Sequence, residues 1–509
     1  MNTRQVITLG ICLLVFCCCT NEKEAAQESA THSHKETYVS IDGLWKSTQE
    51  TALHLPSITL QPIIHIQGNL QNDLMVQGCF IAESQFMNSW KLSNIEYTEE
   101  DRKIIFHDQQ GSTFIGHVNE SMDSISGMVY TGYPNDLEAE DRLDFIRASD
   151  LDIQYLFMPK APDKDGSIKY AYQEPDVLED GIKTGSVDGY IKDPVLLSRF
   201  LEEVIGQEYG RLESLLILKD QQLLLEEYFY GYDENRTHDI HSCTKSIVSL
   251  LAGLAITENG EANVNQPIAS FFPNMDLNLD DEHSRITLKH VLTMSAVFQT
   301  DDSYLGLEQE ELVKQILHSP LESTVGEQFR YNSECPYLLG GIIYANTGQE
   351  VDVYAKEKLF EPLGITNYKW DKENGTPCCQ AHIHMTPRDM AKIGLLVLNE
   401  GRWNDQQIIP ENWIRESTQP HVSESEFFDY GYQWWHRSSS NKSWWKEDHS
   451  PTESEHEMVQ AMGWGGQYIF IIRDLDLVIV TTASDYDEGS GEAHSKVPMV
   501  IEEIVPMFK

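Results

Sequence analysis

His241-Ser242-Cys243-Thr244-Lys245-Ser246, continued by Ile247-Val248-Ser249-Leu250-Leu251, places a serine and a lysine three residues apart at the head of an apolar run. The run predicts a long helix from Ser242 to about Thr257, stopping before Gly260. Residues three apart share one helix face, and the positive helix end favours negative charge developing on the serine oxygen. A lysine buried against apolar neighbours has a lowered pKa and can accept the serine proton. S-x-x-K is thus a way to activate a nucleophile without histidine. The same spacing also fits a capped helix with a solvated lysine. The apolar run argues instead that the helix, and its lysine with it, is buried.

Two further stretches supply what such a pair would need. Gly326-Glu327-Gln328-Phe329-Arg330-Tyr331-Asn332-Ser333 offers a tyrosine on a loop, able to carry a proton to a leaving group. Gly463-Trp464-Gly465-Gly466-Gln467 enters a strand, and its glycines would let a substrate approach the backbone closely. A backbone N–H there, together with that of Ser242, could form an oxyanion hole. Outside these stretches, Pro194 to Tyr209 reads as an amphipathic helix. Ser214 to Leu218 and Leu223 to Tyr230 read as strands joined by a turn at Lys219-Asp220-Gln221-Gln222. Gln467 to Ile472 and Leu477 to Thr482 form a second hairpin around Arg473-Asp474-Leu475-Asp476. Strands at both ends with helices between them predict an α+β domain whose sheet joins N- and C-terminal strands.

With these residues in view, the chain resembles the β-lactamase-related serine hydrolases. That family groups class C β-lactamases, D-alanyl-D-alanine carboxypeptidases, family VIII carboxylesterases and 6-aminohexanoate-oligomer hydrolases. The resemblance covers roughly residues 160–509. Ser242-Cys243-Thr244-Lys245 is similar to the family's S-x-T-K, and Tyr331 to the tyrosine of its Y-x-N motif. Trp464-Gly465-Gly466 stands where β-lactamases carry K-T-G and resembles the W-G-G of the esterase branch. Flanking phrases match as well: Leu292-Thr293-Met294-Ser295, Met385-Thr386-Pro387-Arg388-Asp389-Met390-Ala391-Lys392 and Tyr430-Gly431-Tyr432-Gln433-Trp434-Trp435. The resemblance implies a β-lactamase/transpeptidase-like fold, with an antiparallel sheet flanked by helices. It implies catalytic roles for Ser242, Lys245 and Tyr331, and substrate or oxyanion contacts at Ser333, Trp464, Gly465, Gly466 and Gln467.

Two departures bear on the substrate. Ser333 replaces the last Asn of Y-x-N, as in the oligomer hydrolases, and its shorter hydroxyl would meet a substrate differently. Trp464 replaces the K-T-G lysine, so a cation that would hold a substrate carboxylate is gone and an apolar wall with one N–H stands in its place. Composition points the same way. The chain has 509 residues, 40% of them apolar, with 37 Lys and Arg against 81 Asp and Glu, a formal charge of −44. Such a surface field repels anions. It excludes nucleic acid and adsorption to anionic lipid, both of which need basic clusters. A small uncharged ester or amide is the expected substrate. A D-alanyl-D-alanine peptidase or penicillin-binding-protein-like activity is the alternative, and a catalytically silent ligand-binding lipoprotein is a third reading.

The first residues have an export pattern: Arg4, then an apolar run from Val6 to Phe16, too short to span a bilayer, then Cys17-Cys18-Cys19. It resembles a bacterial lipoprotein signal with Cys18 as the lipidated residue. The domain plan is a signal at 1–18, a polar tether at 19–38, an all-β accessory domain at 39–150, a linker at 151–195 and the hydrolase domain at 196–509. Short alternating runs such as Ile63-Ile64-His65-Ile66 and Lys103-Ile104-Ile105-Phe106 predict a sandwich or small barrel for the accessory domain. The expected location is the cell envelope, with membrane contact only through the lipid; nothing in the sequence sets an oligomeric state. With Cys12, Cys17, Cys18 and Cys19 set aside as the signal region, five cysteines remain, at irregular spacing, so no disulfide framework is expected. Cys378-Cys379 followed by His382 and His384 raises a metal site, with both rings on one strand face. C-x-x-C spacing is absent, and neither metal nor cofactor is expected. His238 and His241 flank Ser242 without a G-x-S-x-G elbow, so neither is assigned to a Ser-His-Asp triad.

Overall fold

Leu215 and Ile217 point to one side of their strand, Leu216 and Leu218 to the other, and all four are buried. A strand apolar on both faces has to be covered on both. In the computed structural model the covering is done by helices on each side. The structure describes strands between Gly43 and Arg147, residues 159–160, and residues 169–508 apart from 259, 261–262, 300–305, 439–440, 443–455 and 485–495. The signal, lipidation and tether readings at 1–38, Cys18 included, lie outside the described residues.

The central sheet has nine strands. Its order is Lys183–Thr184, Gln222–Tyr228, Leu212–Lys219, Leu477–Ala483, Gln467–Ile472, Met458–Gly463, Trp435–Arg437, Asp429–Tyr430 and Val422–Ser423. All neighbours are antiparallel except the short edge strand Lys183–Thr184. Leu216 lies opposite Val480, so the N- and C-terminal strands join at the middle of the sheet. Helix α1 (Pro194–Ile205) covers one face with Leu197, Phe200, Leu201 and Val204, beside Val500, Ile501 and Ile504 from near the C-terminus. Helices α2 (Cys243–Thr257), α3 (Glu334–Thr347) and α4 (Pro387–Leu398) pack against the other. Helix α2 is buried nearly all round, as its continuous apolar run requires.

Local chemistry sets the boundaries. Asp193 caps α1 by accepting from the Val195 N–H at 2.9 Å, and Pro194 occupies the first turn, where its missing N–H costs nothing. The helix ends at Ile205 rather than Tyr209, because Gln207 adopts φ 64°. The first hairpin tightens to a two-residue turn at Asp220 (φ 49°) and Gln221 (φ 65°), whose left-handed conformation matches the strand twist. Residues 169–193 pack onto the domain: the Tyr172 hydroxyl donates to the Leu224 carbonyl at 2.8 Å, and Lys183–Thr184 extends the sheet.

Ahead of this domain lies an all-antiparallel sheet of nine strands. The first, Gly43–Ser47, sits between Leu60–Gly68 and Glu138–Arg147. Strands Leu74–Ala82 and Leu92–Thr98, from opposite halves of the order, approach within 8 Å, so the sheet curls toward a barrel. Trp45, Ile104, Phe106, Phe114, Ile125 and Phe145 fill its interior. An α+β domain of β-lactamase/transpeptidase type thus follows a small all-β domain.

Candidate active site

Ser242 is the N-cap residue of α2 and half-buried, while Lys245, one turn on, is buried. The Lys245 Nζ lies 3.1 Å from Ser242 Oγ and donates to the Gln380 carbonyl at 2.6 Å. Burial pushes the Lys245 pKa down to about 7. The ammonium sits 4.9 Å from the centre of the Tyr331 ring. Burial raises the Tyr331 phenol, an effect that hydrogen bonding to Ser242 partly offsets. Serine, lysine and tyrosine, 89 residues apart in sequence at their extremes, therefore meet at one point.

The flanking phrases hold these groups in place. Ser246 donates to the Gln433 carbonyl at 2.6 Å, and the Gln433 amide donates to the Val291 and Leu292 carbonyls at 3.0 Å each. Arg330 N–H donates to the Met294 carbonyl at 2.7 Å, which fixes the loop just before Tyr331. The Tyr331 ring rests 5.5 Å from Trp435 and 6.5 Å from Tyr430. Asn332 caps α3 by accepting from Cys335 N–H at 2.9 Å, and Ser333 is that helix's half-buried N-cap residue. Thr244 accepts from Ile383 N–H at 3.3 Å, tying α2 to the segment that carries Gln380.

Gly463 to Gln467 forms the tip between strands Met458–Gly463 and Gln467–Ile472. A Cβ at Gly463 would lie 2.3 Å from the Ile240 carbonyl, so only glycine lets this tip close on the segment leading to Ser242. Cys243 Sγ donates to the Gln467 carbonyl at 3.3 Å, drawing the Ser242 turn and the Gln467 backbone together. The Gln467 side chain points elsewhere: its amide donates to the Trp464 carbonyl at 3.3 Å, and its Oε1 accepts from Ala483 N–H at 3.3 Å. Gly465 (φ 78°) and Gly466 (φ 103°) are buried in the turn. Trp464 is 44% exposed, an apolar wall open to solvent. A cavity of about 330 Å³ opens beside Tyr331, with Phe329, Arg330, Glu322 and Glu424 in its walls.

One group at this site is not legible in sequence. Asp239 accepts from His241 N–H at 2.8 Å through Oδ1, and its Oδ2 lies 2.7 Å from His382 Nδ1 and 3.5 Å from His241 Nδ1. Burial lowers the His241 pKa to about 4. Burial alone would raise Asp239 and lower His382, but their attraction, with His241 beside them, keeps the carboxyl below its usual range and lifts His382. The His241 ring lies 5.6 Å from Trp464. The four residues Cys378, Cys379, His382 and His384 do not share one site. His382 turns to Asp239 at φ 68°, His384 pairs with Asp371 at 3.1 Å, and both cysteines are buried, free thiols. His382 stands before the strand Ile383–Met385, so the expected alternation along one strand does not apply to it.

Comparison with known proteins settles the lineage. Residues 207–496 match the Beta-lactamase family, more than half of the chain. This chain belongs to the Beta-lactamase family. Among curated relatives of the family, Protein flp of Staphylococcus aureus (strain MRSA252) is 26% identical over 176 residues, 32% of this chain and 35% of that protein. A protein of Escherichia coli (strain K12), provisionally assigned as a D-alanyl-D-alanine carboxypeptidase, is 23% identical over 198 residues, 34% of this chain and 45% of that protein. The chain thus matches less than half the length of these relatives. A solved structure from Bacteroides dorei DSM 17855, provisionally assigned as a beta-lactamase, superposes with a TM-score of 0.51 at 15% identity, covering 62% of this chain and 99% of that one. At that identity the likeness speaks for the fold.

Proposed function

We propose that this protein is a serine hydrolase that works through an acyl-enzyme on small uncharged esters or amides. The observation that carries the reading is the 3.1 Å contact between Lys245 Nζ and Ser242 Oγ, with the lysine pKa near 7. In this reading Lys245, as a neutral amine, takes the Ser242 proton while Oγ attacks the carbonyl carbon. Backbone N–H groups of Ser242 and Gln467 receive the oxyanion. One such donor contributes about 3 kcal/mol in enzymes of this kind. Tyr331 gives a proton to the leaving group and then helps water attack the acyl-enzyme, returning Ser242. Ser333, Trp464, Gly465 and Gly466 line the approach.

Charge supports an uncharged substrate. Trp464 offers no cation where the family's K-T-G lysine stands, and of the charges beside Tyr331, Arg330 is paired with Glu322 at 2.7 Å. Glu424 adds a negative charge to the same walls. We further propose that the protein is exported and anchored in the cell envelope by a lipid on Cys18. A panel of small p-nitrophenyl esters, linear amides and a cephalosporin tests the substrate class. Ester or amide turnover well above cephalosporin turnover, absent in Ser242→Ala, supports the reading. Preference for the anionic cephalosporin, or turnover kept by Ser242→Ala, overturns it.

A further inference from the structure

The described residues include three imidazole–carboxylate pairings near Ser242. His238 lies 3.4 Å from Glu213 and His384 lies 3.1 Å from Asp371, one ring to one carboxylate in each. At Asp239 the arrangement differs. Two rings, from His241 and His382, converge on the single oxygen Oδ2. Among the described residues this is the one cluster of three His, Cys, Asp or Glu side chains whose ligand atoms all lie within 4.8 Å of one another.

The three ligand atoms are close enough to share one ion after a small adjustment. A tetrahedral ion with bonds of about 2.0 Å separates its ligand atoms by about 3.3 Å. The His241 Nδ1–Oδ2 separation of 3.5 Å is close to that value, and the His382 Nδ1–Oδ2 hydrogen bond at 2.7 Å would open by about 0.6 Å to admit an ion. The remaining Asp239 oxygen is occupied by His241 N–H at 2.8 Å, an outer contact that would orient the carboxylate toward an ion. Both histidines also sit in left-handed backbone, His241 at φ 45° and His382 at φ 68°. Non-glycine residues pay for that conformation, and such strain gathers where side chains must be aimed. Asp239 and His241 are buried while His382 is only partly buried, so an ion could enter from the His382 side.

We propose that Asp239, His241 and His382 bind a divalent first-row transition ion, zinc foremost, through two imidazoles and one carboxylate, with a further position open to water. Two His and one carboxylate are a zinc donor set of the open kind, and the acidic surface raises the local concentration of cations. One of the three ligands, His241, meets the Trp464 ring edge-on at 5.6 Å between centroids. The inference stands apart from the hydrolase reading, because binding is read without turnover.

The test uses the full-length protein stripped with a chelator and titrated calorimetrically with Zn²⁺, and in parallel with Co²⁺ followed by visible absorption. One equivalent should bind with micromolar or tighter affinity, and Co²⁺ should give the intense bands of a tetrahedral site. His382→Ala and Asp239→Asn should each weaken binding by about 100-fold or more, while His384→Gln should leave it unchanged. X-ray absorption of the zinc-loaded wild type should count two imidazoles; it needs no variant and so holds if a substitution impairs folding. Absence of a one-equivalent site, a different ligand count, or binding unchanged in both ligand variants would overturn the proposal and leave Asp239 as a hydrogen-bonding post.

Discussion

Lys245 Nζ lies within hydrogen-bonding reach of two oxygens, Ser242 Oγ at 3.1 Å and the Gln380 carbonyl at 2.6 Å, and no carboxylate hydrogen-bonds to it among the described contacts. A carbonyl steadies the nitrogen without supplying the charge that would keep it protonated. Burial then decides the protonation state, and the amine becomes a base near neutral pH. Lys245→Ala should therefore lower kcat/KM for a small ester by about 10²–10⁴-fold, the span of general-base contributions. Steady-state kinetics, with circular dichroism to confirm folding, measures it.

The same shift sets the pH profile. Lys245 can accept the Ser242 proton only when neutral, so activity is low below its pKa and rises as pH increases. The rising limb of kcat/KM should have its midpoint at about 7. An ordinary solvated lysine would put that limb near about 10.4. A stopped-flow ester assay across pH 5–10, about the range in which the two cases separate, distinguishes them.

Tyr331→Phe removes one hydroxyl and leaves the ring against Trp435 and Tyr430. Stability should stay within about 0.5 kcal/mol of wild type, as for substitutions that leave packing intact. Turnover should fall by about 10²-fold or more, because proton delivery to the leaving group is lost. The loss should be greater for amides than for nitrophenyl esters, whose leaving group needs no proton.

Arg388 tests the scaffold rather than the chemistry. Its guanidinium is buried, donates to Glu226 through Nε at 2.7 Å and to Asp180 at 3.0 Å, and thereby ties α4 to the central sheet and to the segment before α1. Removing one partner of a buried pair strands the other charge, at a cost of about 3–5 kcal/mol. Arg388→Ala should lower the denaturation midpoint accordingly, and any loss of activity should follow the loss of folded protein.

How far the sequence reveals the site follows from range. The S-x-x-K pair and both hairpins are local patterns, fixed by neighbours a few residues apart, and each is legible from periodicity and turn residues. Helix α1 reads four residues too long because Gln207 breaks it with a backbone angle that side-chain pattern does not encode. The Gln380 carbonyl gives no sequence signal, since every residue has one. Asp239 and His382 stand 143 positions apart, and only the pairing of His238–Asp239 with Ile383–Met385 brings them together. His382-x-His384 suggests a shared face, but the left-handed turn at His382 gives the two rings different carboxylates.

In the proposed reaction Ser242 Oγ is the atom that becomes acylated. Treating the folded full-length protein with a fluorophosphonate probe and mapping the adduct by peptide mass spectrometry tests it most directly. One labelled residue is expected, Ser242, with labelling accelerated as pH rises through about 7 and lost in Ser242→Ala. A folded wild-type protein that takes up no label, or carries it on another residue, would rule out Ser242 as the nucleophile.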